Sequence, residues 1–455
     1  MVHGRNKISR PWLRPSSVKG LNVPASTHRS WRAAFVIYGE KSVLALLFLG
    51  FSAGLPFLLV FSTLSLWLRE VGVSRTAIGF VSWIGITYSI KVIWAPVVDH
   101  APLIGLTDSL GRRRAWMFVA MAGIGLGLLG MAFSDPLASP RLLVGFALMV
   151  AFCSATQDVA IDAYRIEIAP AEMQGALAAS YQLGYRIALL VAGAGALYIA
   201  EFQGWVVSYA VMAGFMMIGL LTVLIIPEPQ SSSDENNKND GSLTIREWFE
   251  RAVVQPFGEF FRRVGRFAIP ILLFVAVYRV SDISMGVMAN PFYVDLGFSK
   301  TEIANIIKVF GLGMTILGTF LGGILVARYG VMGPLLLGSV LVFAANLLFA
   351  LLAWVGRDIT LLTVVISADN ISGGLAGSAF IAYLSSLTRT PYTATQYALF
   401  SSLMTLPGKF IGGFSGVVVD GSGYMIFFAY AAMLGLPAIF LCLYLAIRGV
   451  SEESM

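Results

Sequence analysis

The sequence predicts an all-α membrane protein: twelve transmembrane helices in two six-helix bundles, related by a pseudo-two-fold axis along the membrane normal. Three observations carry this prediction. Hydrophobic residues make up 57% of the 455-residue chain and charged residues 12%, with a mean hydropathy of +0.79, whereas a soluble domain is about a quarter charged. Twelve apolar segments recur along the chain, each long enough to cross a hydrocarbon layer about 30 Å thick as a helix. Two short motifs also repeat at a nearly constant offset, one six-span half later.

Residues 1–42 are polar and basic without an apolar signal core, so the first span is expected to act as its own insertion signal. Apolar segments follow near 43–68, 76–98, 115–133, 142–164, 173–199 and 205–226, forming an N-terminal bundle over 43–226. Residues 227–266 open with a flexible linker, Glu228 to Ser242, rich in Ser, Asn and Asp. Beyond it Ile245, Trp248, Phe249, Ala252 and Val253 fall at helical spacing, which fits either an amphipathic helix on the inner membrane surface or a plain connector. Six further segments near 267–292, 302–327, 332–354, 359–386, 393–418 and 423–447 form a C-terminal bundle over 267–447, followed by a tail at 448–455.

An even number of spans puts both ends on one side. Outside the spans, 21 Lys and Arg lie on that side and 5 on the other. The positive-inside bias then makes both termini cytoplasmic. The same distribution accounts for the pI near 9.3 through topology, so no nucleic-acid partner is expected.

Gly72-Val-Ser-Arg-Thr-Ala-Ile78 has a counterpart in Gly297-Phe-Ser-Lys-Thr-Glu-Ile303, 225 positions on, and Gln174-Gly-Ala-Leu177 in Gln396-Tyr-Ala-Leu399, 222 positions on. Equivalent places in two six-span halves argue for a parallel duplication with a central cavity between the bundles.

Nine ionisable residues fall inside spans: Lys91, Asp158, Asp162, Arg186, Arg279, Asp282, Lys308, Asp369 and Lys409. A central Asp, Lys or Arg costs about 2.5–3.5 kcal/mol even on insertion-based scales, so most must line a wet cavity or pair with one another. Arg186 shares a face with Gln182 and adjoins Tyr185, a set suited to gripping a carboxylate or phosphate. Lys409, Lys91 and Lys308 add cations, and an anionic substrate follows; alternatively the cations neutralise Asp158, Asp282 and Asp369. Arg279 and Asp282, three apart beside Tyr278, are either a local ion pair or a pair that opens when a proton reaches Asp282. In Gln157-Asp-Val-Ala-Ile-Asp162 the deeper Asp158 is the candidate proton or substrate residue. Asp162, one turn nearer the cytoplasm, is expected to meet the cluster Arg112, Arg113 and Arg114 as a gate or structural pair.

Gly318 with Gly322, and Gly412 with Gly416, are spaced for close helix packing, and Pro56 and Pro407 for bends at cavity depth. Cys153 and Cys442 lie in apolar segments and are expected to stay unpaired. His3, His28 and His100 fall outside the spans, and no metal-ligand cluster or phosphate-cradling loop is legible. An enzyme is therefore not expected, and neither cofactor nor metal.

The two six-span halves and the loop Asp99…Gly111-Arg-Arg-Arg114 resemble the major facilitator superfamily, although the eleven residues between Asp99 and Gly111 stretch its usual loop signature. A closer likeness spans nearly the whole membrane portion. Phe48-Leu-Gly-Phe-Ser-Ala-Gly-Leu-Pro56, Ala151-Phe-Cys-Ser-Ala-Thr-Gln-Asp158 with Asp162, Leu183-Gly-Tyr-Arg186, Tyr278-Arg-Val-Ser-Asp282 and Ser372-Gly-Gly-Leu-Ala-Gly-Ser-Ala-Phe380 resemble the AmpG-type muropeptide permeases. Lys91 and Lys308 also fall where that family places lysines.

The resemblance implies a bacterial inner-membrane importer of N-acetylglucosaminyl-1,6-anhydro-N-acetylmuramic acid and its muropeptides, driven by proton symport, for peptidoglycan recycling and β-lactamase induction. A monomer in the lipid bilayer is expected, with Asp99, Arg112, Arg113 and Asp162 at the gate. The acetyl-coenzyme A transporters share a similar Gln-Asp…Asp motif and are the alternative.

Overall fold

A computed structural model describes residues 40–168, 173–229, 255–387 and 393–448. Among these residues the chain is helical and no strand occurs. That follows from the solvent: a backbone inside hydrocarbon satisfies its N–H and C=O groups within its own segment. Among the described residues, nine continuous helical stretches are long and apolar enough to cross a membrane. One of these, Ala176–Ile225, doubles back near Gly204, whose φ is 83°: Ser208 Oγ on the far side of the break donates to Ala196 O at 2.7 Å. That division, the broken second span at 75–100 and the helix Thr393–Gly412 complete the expected twelve crossings. The N-terminal tail, the segment 245–253 and the residues after 448 lie outside the described residues, whereas a helix Gln255–Val264 is described.

The first, second and seventh spans are broken part-way along their length. The first span changes course at Phe61 (φ −119°, ψ −93°), between Lys41–Val60 and Ser62–Glu70. The second is a chain of short pieces, Arg75–Val81, Ser82–Gly85, Ile86–Ser89, Lys91–Ile93 and Ala95–His100. The seventh breaks at Arg279, between Ala268–Val277 and Val280–Asp295. Irregular backbone within a span persists where protein or a wet cavity covers it. Pro56 and Pro407 sit inside helices that run through them, and the break in the first span falls at Phe61 instead. The fifth and eighth spans each contain a π-helical turn, Val191–Gly195 and Ile303–Phe310.

Close backbone approach at Gly318 is as its spacing suggested, since a Cβ there would lie 2.2 Å from Ile371 O of the tenth span.

The core divides unevenly. One apolar cluster runs through the first bundle (Leu46, Leu128, Tyr209) and continues into the ends of the second bundle farthest from the termini (Phe292, Phe349, Phe428). A separate cluster (Phe274, Phe380, Tyr383, Cys442) fills the part of the second bundle nearer the termini. The bundles thus share a core on the face opposite the termini and have separate cores towards the terminal face.

Candidate functional site

The second span breaks at Gly85 and the eleventh span faces it. Lys409 Nζ crosses from the eleventh span to donate to Gly85 O and Ser89 Oγ, both at 2.8 Å, and Ser89 Oγ lies 2.8 Å from Thr405 Oγ1. These contacts join the two bundles part-way along their spans. On either side of them lies a cavity.

The larger, about 580 Å³, has apolar walls that include Phe57, Phe61, Ile283 and Phe380, with Arg279 and Lys409 as its charged groups. The smaller, about 340 Å³, is lined by Tyr88, Ser89, Lys91, Ser401, Ser402 and Lys409 among others. Met404, Thr405 and Lys409 line both, so the cavities adjoin. Together they make one site: a larger lobe with a guanidinium, a smaller lobe with hydroxyls and an ammonium among apolar walls, and a second ammonium at the seam.

Each of the first two cations faces a carboxylate. Arg279 Nη2 lies 2.6 Å from Asp282 Oδ2, with the side chains 29% and 24% exposed. The three-residue spacing at the helix break aims both groups to one side. Lys91 Nζ lies 3.4 Å from Asp158 Oδ2, the two 35% and 22% exposed. Such half-exposed pairs are loose enough to exchange a protein partner for a ligand, and desolvated enough that an unpaired charge is costly. The arrangement suits an anion with an apolar body.

Other expected site residues fall elsewhere. Gln157 is fully buried, and neither end of its side-chain amide has a partner among the described residues. Tyr278 stacks on Phe380 at 4.3 Å and donates from its hydroxyl to Leu335 O at 3.3 Å, which places it in the second-bundle core. Arg186 and Gln182 are exposed and Tyr185 is half-buried, and none of the three lines either cavity. Lys308 also lies outside both cavities. It sits at the contact between bundles, donating to Ser62 Oγ at 3.1 Å and Asn290 Oδ1 at 3.3 Å.

At the terminal face Asp162 pairs with Arg165 at 3.4 Å instead of with the arginine cluster, because a residue three further along the same helix is the nearer cation. Arg113 bonds Glu167 at 2.6 Å, and the backbone N–H groups of Arg113 and Arg114 donate to Glu228 at 2.8 and 3.1 Å. Arg112 Nε is buried without a partner among the described residues, and the side chain of Asp99 lies outside them.

Sequence reasoning missed the charges at the opposite face, where Arg69, Arg75 and Lys300 bond acids of the other bundle. The signal is present in the duplicated Gly-x-Ser-Arg/Lys-Thr motif, which on sequence alone marks only the duplication.

Comparison with known proteins agrees with this architecture. Residues 46–413 match the model of the Major Facilitator Superfamily. Putative transporter AmpG 4 of Rickettsia conorii is 32% identical over 411 residues, covering 90% of this chain and 97% of that protein. The anhydromuropeptide permease of Escherichia coli K12 is 31% identical over 410 residues, covering 90% of this chain and 80% of that protein. Among solved structures, a D-xylose-proton symporter superposes with a TM-score of 0.61 at 14% identity, covering 90% of this chain and 97% of the symporter. A point mutant of the nucleoside transporter NupG superposes with 0.63 at 15%, covering 90% and 99%. At that identity these two speak for the fold alone. The chain is a membrane transporter that belongs to the Major Facilitator Superfamily and, within it, to the AmpG family.

Proposed function

We propose that this transporter imports N-acetylglucosaminyl-1,6-anhydro-N-acetylmuramic acid and its muropeptides by proton symport, with both termini in the bacterial cytoplasm. The observation that carries the reading is the two-lobed site at the seam of the bundles. Lys91, Arg279 and Lys409 offer three cations to the stem carboxylates, and the aromatic walls at Phe57, Phe61 and Phe380 offer faces for sugar rings. The relative named anhydromuropeptide permease supports the choice of substrate.

In this reading Asp158 and Asp282 accept protons as substrate displaces them from Lys91 and Arg279. A neutral carboxyl is far less costly to enclose than an orphaned carboxylate, so loading substrate and proton together favours passage through the occluded state. With each charge worth about 2.3 kcal/mol per 100 mV, one proton crossing about 150 mV supplies about 3.5 kcal/mol, and each negative charge carried inwards beside it costs as much, so accumulation requires more protons than substrate charges or a pH gradient across the membrane. Arg186 and Gln182 remain candidate contacts at the approach to the cavity.

The test is uptake of labelled anhydro-muropeptide into proteoliposomes carrying an imposed proton gradient. Uptake is expected to collapse with a protonophore and to fall at least tenfold in Arg279→Gln. Uptake indifferent to the protonophore removes proton coupling, and uptake of acetyl-coenzyme A in place of the muropeptide removes the substrate assignment.

A further inference from the structure

At the face opposite the termini the bundles are joined by two charge clusters. In the first, Arg75 of the first bundle bonds Asp295 at 2.8 Å and Asp420 at 3.1 Å, with its guanidinium 5.2 Å from the centre of the Tyr424 ring. In the second, Lys300 of the second bundle bonds Glu70 at 2.6 Å and Glu201 at 3.3 Å, with its ammonium 5.7 Å from the Trp205 ring. The aromatic in each cluster donates to the first acid: Tyr424 Oη to Asp295 Oδ2 at 2.7 Å, and Trp205 Nε1 to Glu70 Oε2 at 2.6 Å.

The correspondence is positional as well as chemical. Arg75 and Lys300 are 225 residues apart, as are Glu70 and Asp295. Glu201 and Asp420 are 219 apart, as are Trp205 and Tyr424, and so are the helix-breaking glycines Gly204 (φ 83°, ψ 168°) and Gly423 (φ 79°, ψ 169°). Ser74 and Ser299, each just before its cation, both cap the following turn, accepting from Ala77 N and Glu302 N at 3.2 Å.

We infer that these clusters are two copies of one latch, encoded once in the ancestral half and closed reciprocally, so that each bundle supplies the cation of one copy and the acids of the other. A cation that bonded acids of its own bundle would stiffen that bundle alone. Here every cation–acid bond named spans the interface, so the whole Coulomb gain is lost when this face opens. The latch therefore sets how often the transporter faces away from the termini. This inference rests on alternating access but not on the identity of the substrate.

The copies differ in their number of cations. Arg69 also bonds Asp295, at 2.5 Å, whereas the residue 225 further on is Val294. The first copy thus sets two cations against two acids, and the second sets one against two. Removing Lys300 leaves Glu70 and Glu201 facing each other with no cation between them. Removing Arg75 leaves Asp295 still held by Arg69.

The test uses the full chain in proteoliposomes of known sidedness, with both cysteines replaced by alanine and a reporter cysteine at Ser65, which lines the larger cavity. A membrane-impermeant methanethiosulfonate reagent is added on the face opposite the termini. Lys300→Gln is expected to raise the labelling rate about tenfold and Arg75→Gln about threefold. The reciprocal exchange Glu70→Lys with Lys300→Glu is expected to return labelling towards the parent rate, which also shows that the variant chain folds. Unchanged labelling in both single variants overturns the latch. A response confined to Arg75→Gln overturns its duplication. Failed uptake of muropeptide with these labelling changes intact would refute the substrate assignment and leave the latch standing.

Discussion

The two faces of this transporter use their charges in opposite ways. Opposite the termini, Arg69, Arg75 and Lys300 all bond acids of the other bundle. At the terminal face, Arg113 bonds Glu167 within the first bundle, and Arg263 bonds Glu259 within the helix Gln255–Val264 that leads into the second. The apolar core repeats the contrast, continuous across the bundles at one face and divided at the other. The difference identifies the state: the bundles are clasped opposite the termini, and the ion pairs named at the terminal face can survive while that face opens. Under the proposed orientation this is an inward-facing transporter.

The contrast should break most sharply at Gly416. A Cβ at that position would lie 1.9 Å from Arg75 O, in the other bundle, so backbone meets backbone across the clasped face. Gly416→Ala must push the second and eleventh spans apart. Labelling of the Ser65 reporter from that face is expected to rise more than tenfold, and an unchanged rate would mean that the bundles already part there.

Next in size is Lys409→Met, which removes the ammonium at the seam and its bonds to Gly85 and Ser89. Charge-assisted hydrogen bonds are worth about 1.5–3 kcal/mol. Uptake of an acidic-stem muropeptide is expected to fall about tenfold, and that of the stemless amide of the disaccharide much less. Equal losses for both would make Lys409 a hinge contact and not an anion contact. The smallest effect on accessibility should come from Arg113→Ala. It strands Glu167 within the first bundle and should cost about 1–3 kcal/mol of stability, seen as a lower unfolding temperature in detergent. Reporter labelling should stay within twofold of the parent, because the pair with Glu167 lies within one bundle.

Much of the architecture is legible in the chain. Twelve spans follow from hydropathy, since each helix meets its backbone requirement alone and needs no partner to be recognised. The pairing of Arg279 with Asp282 is one of two readings allowed by a three-residue spacing at a helix turn. Asp162 shows where such local reasoning reaches further than expected: its partner is Arg165 on the same helix, while in the more conspicuous arginine cluster Arg113 bonds Glu167 and the Arg114 side chain bonds the carbonyls of Val223 and Leu224. Depth alone suggests a cavity position for both Lys308 and Arg186. Depth does not fix azimuth, and the placement of neighbouring spans puts one at the bundle contact and leaves the other outside both cavities.

The sequence by itself determined the solvent, the number of crossings, the duplication and which side chains would be costly to leave unpaired. These are properties of single segments, set by transfer free energies and by spacing along one helix. Which bundle each charge serves was decided only by tertiary structure. Arg75 and Arg113 belong to the same half, yet one clasps the opposite bundle and the other pairs within its own, because a partner hundreds of residues away is chosen by how two rigid bodies meet.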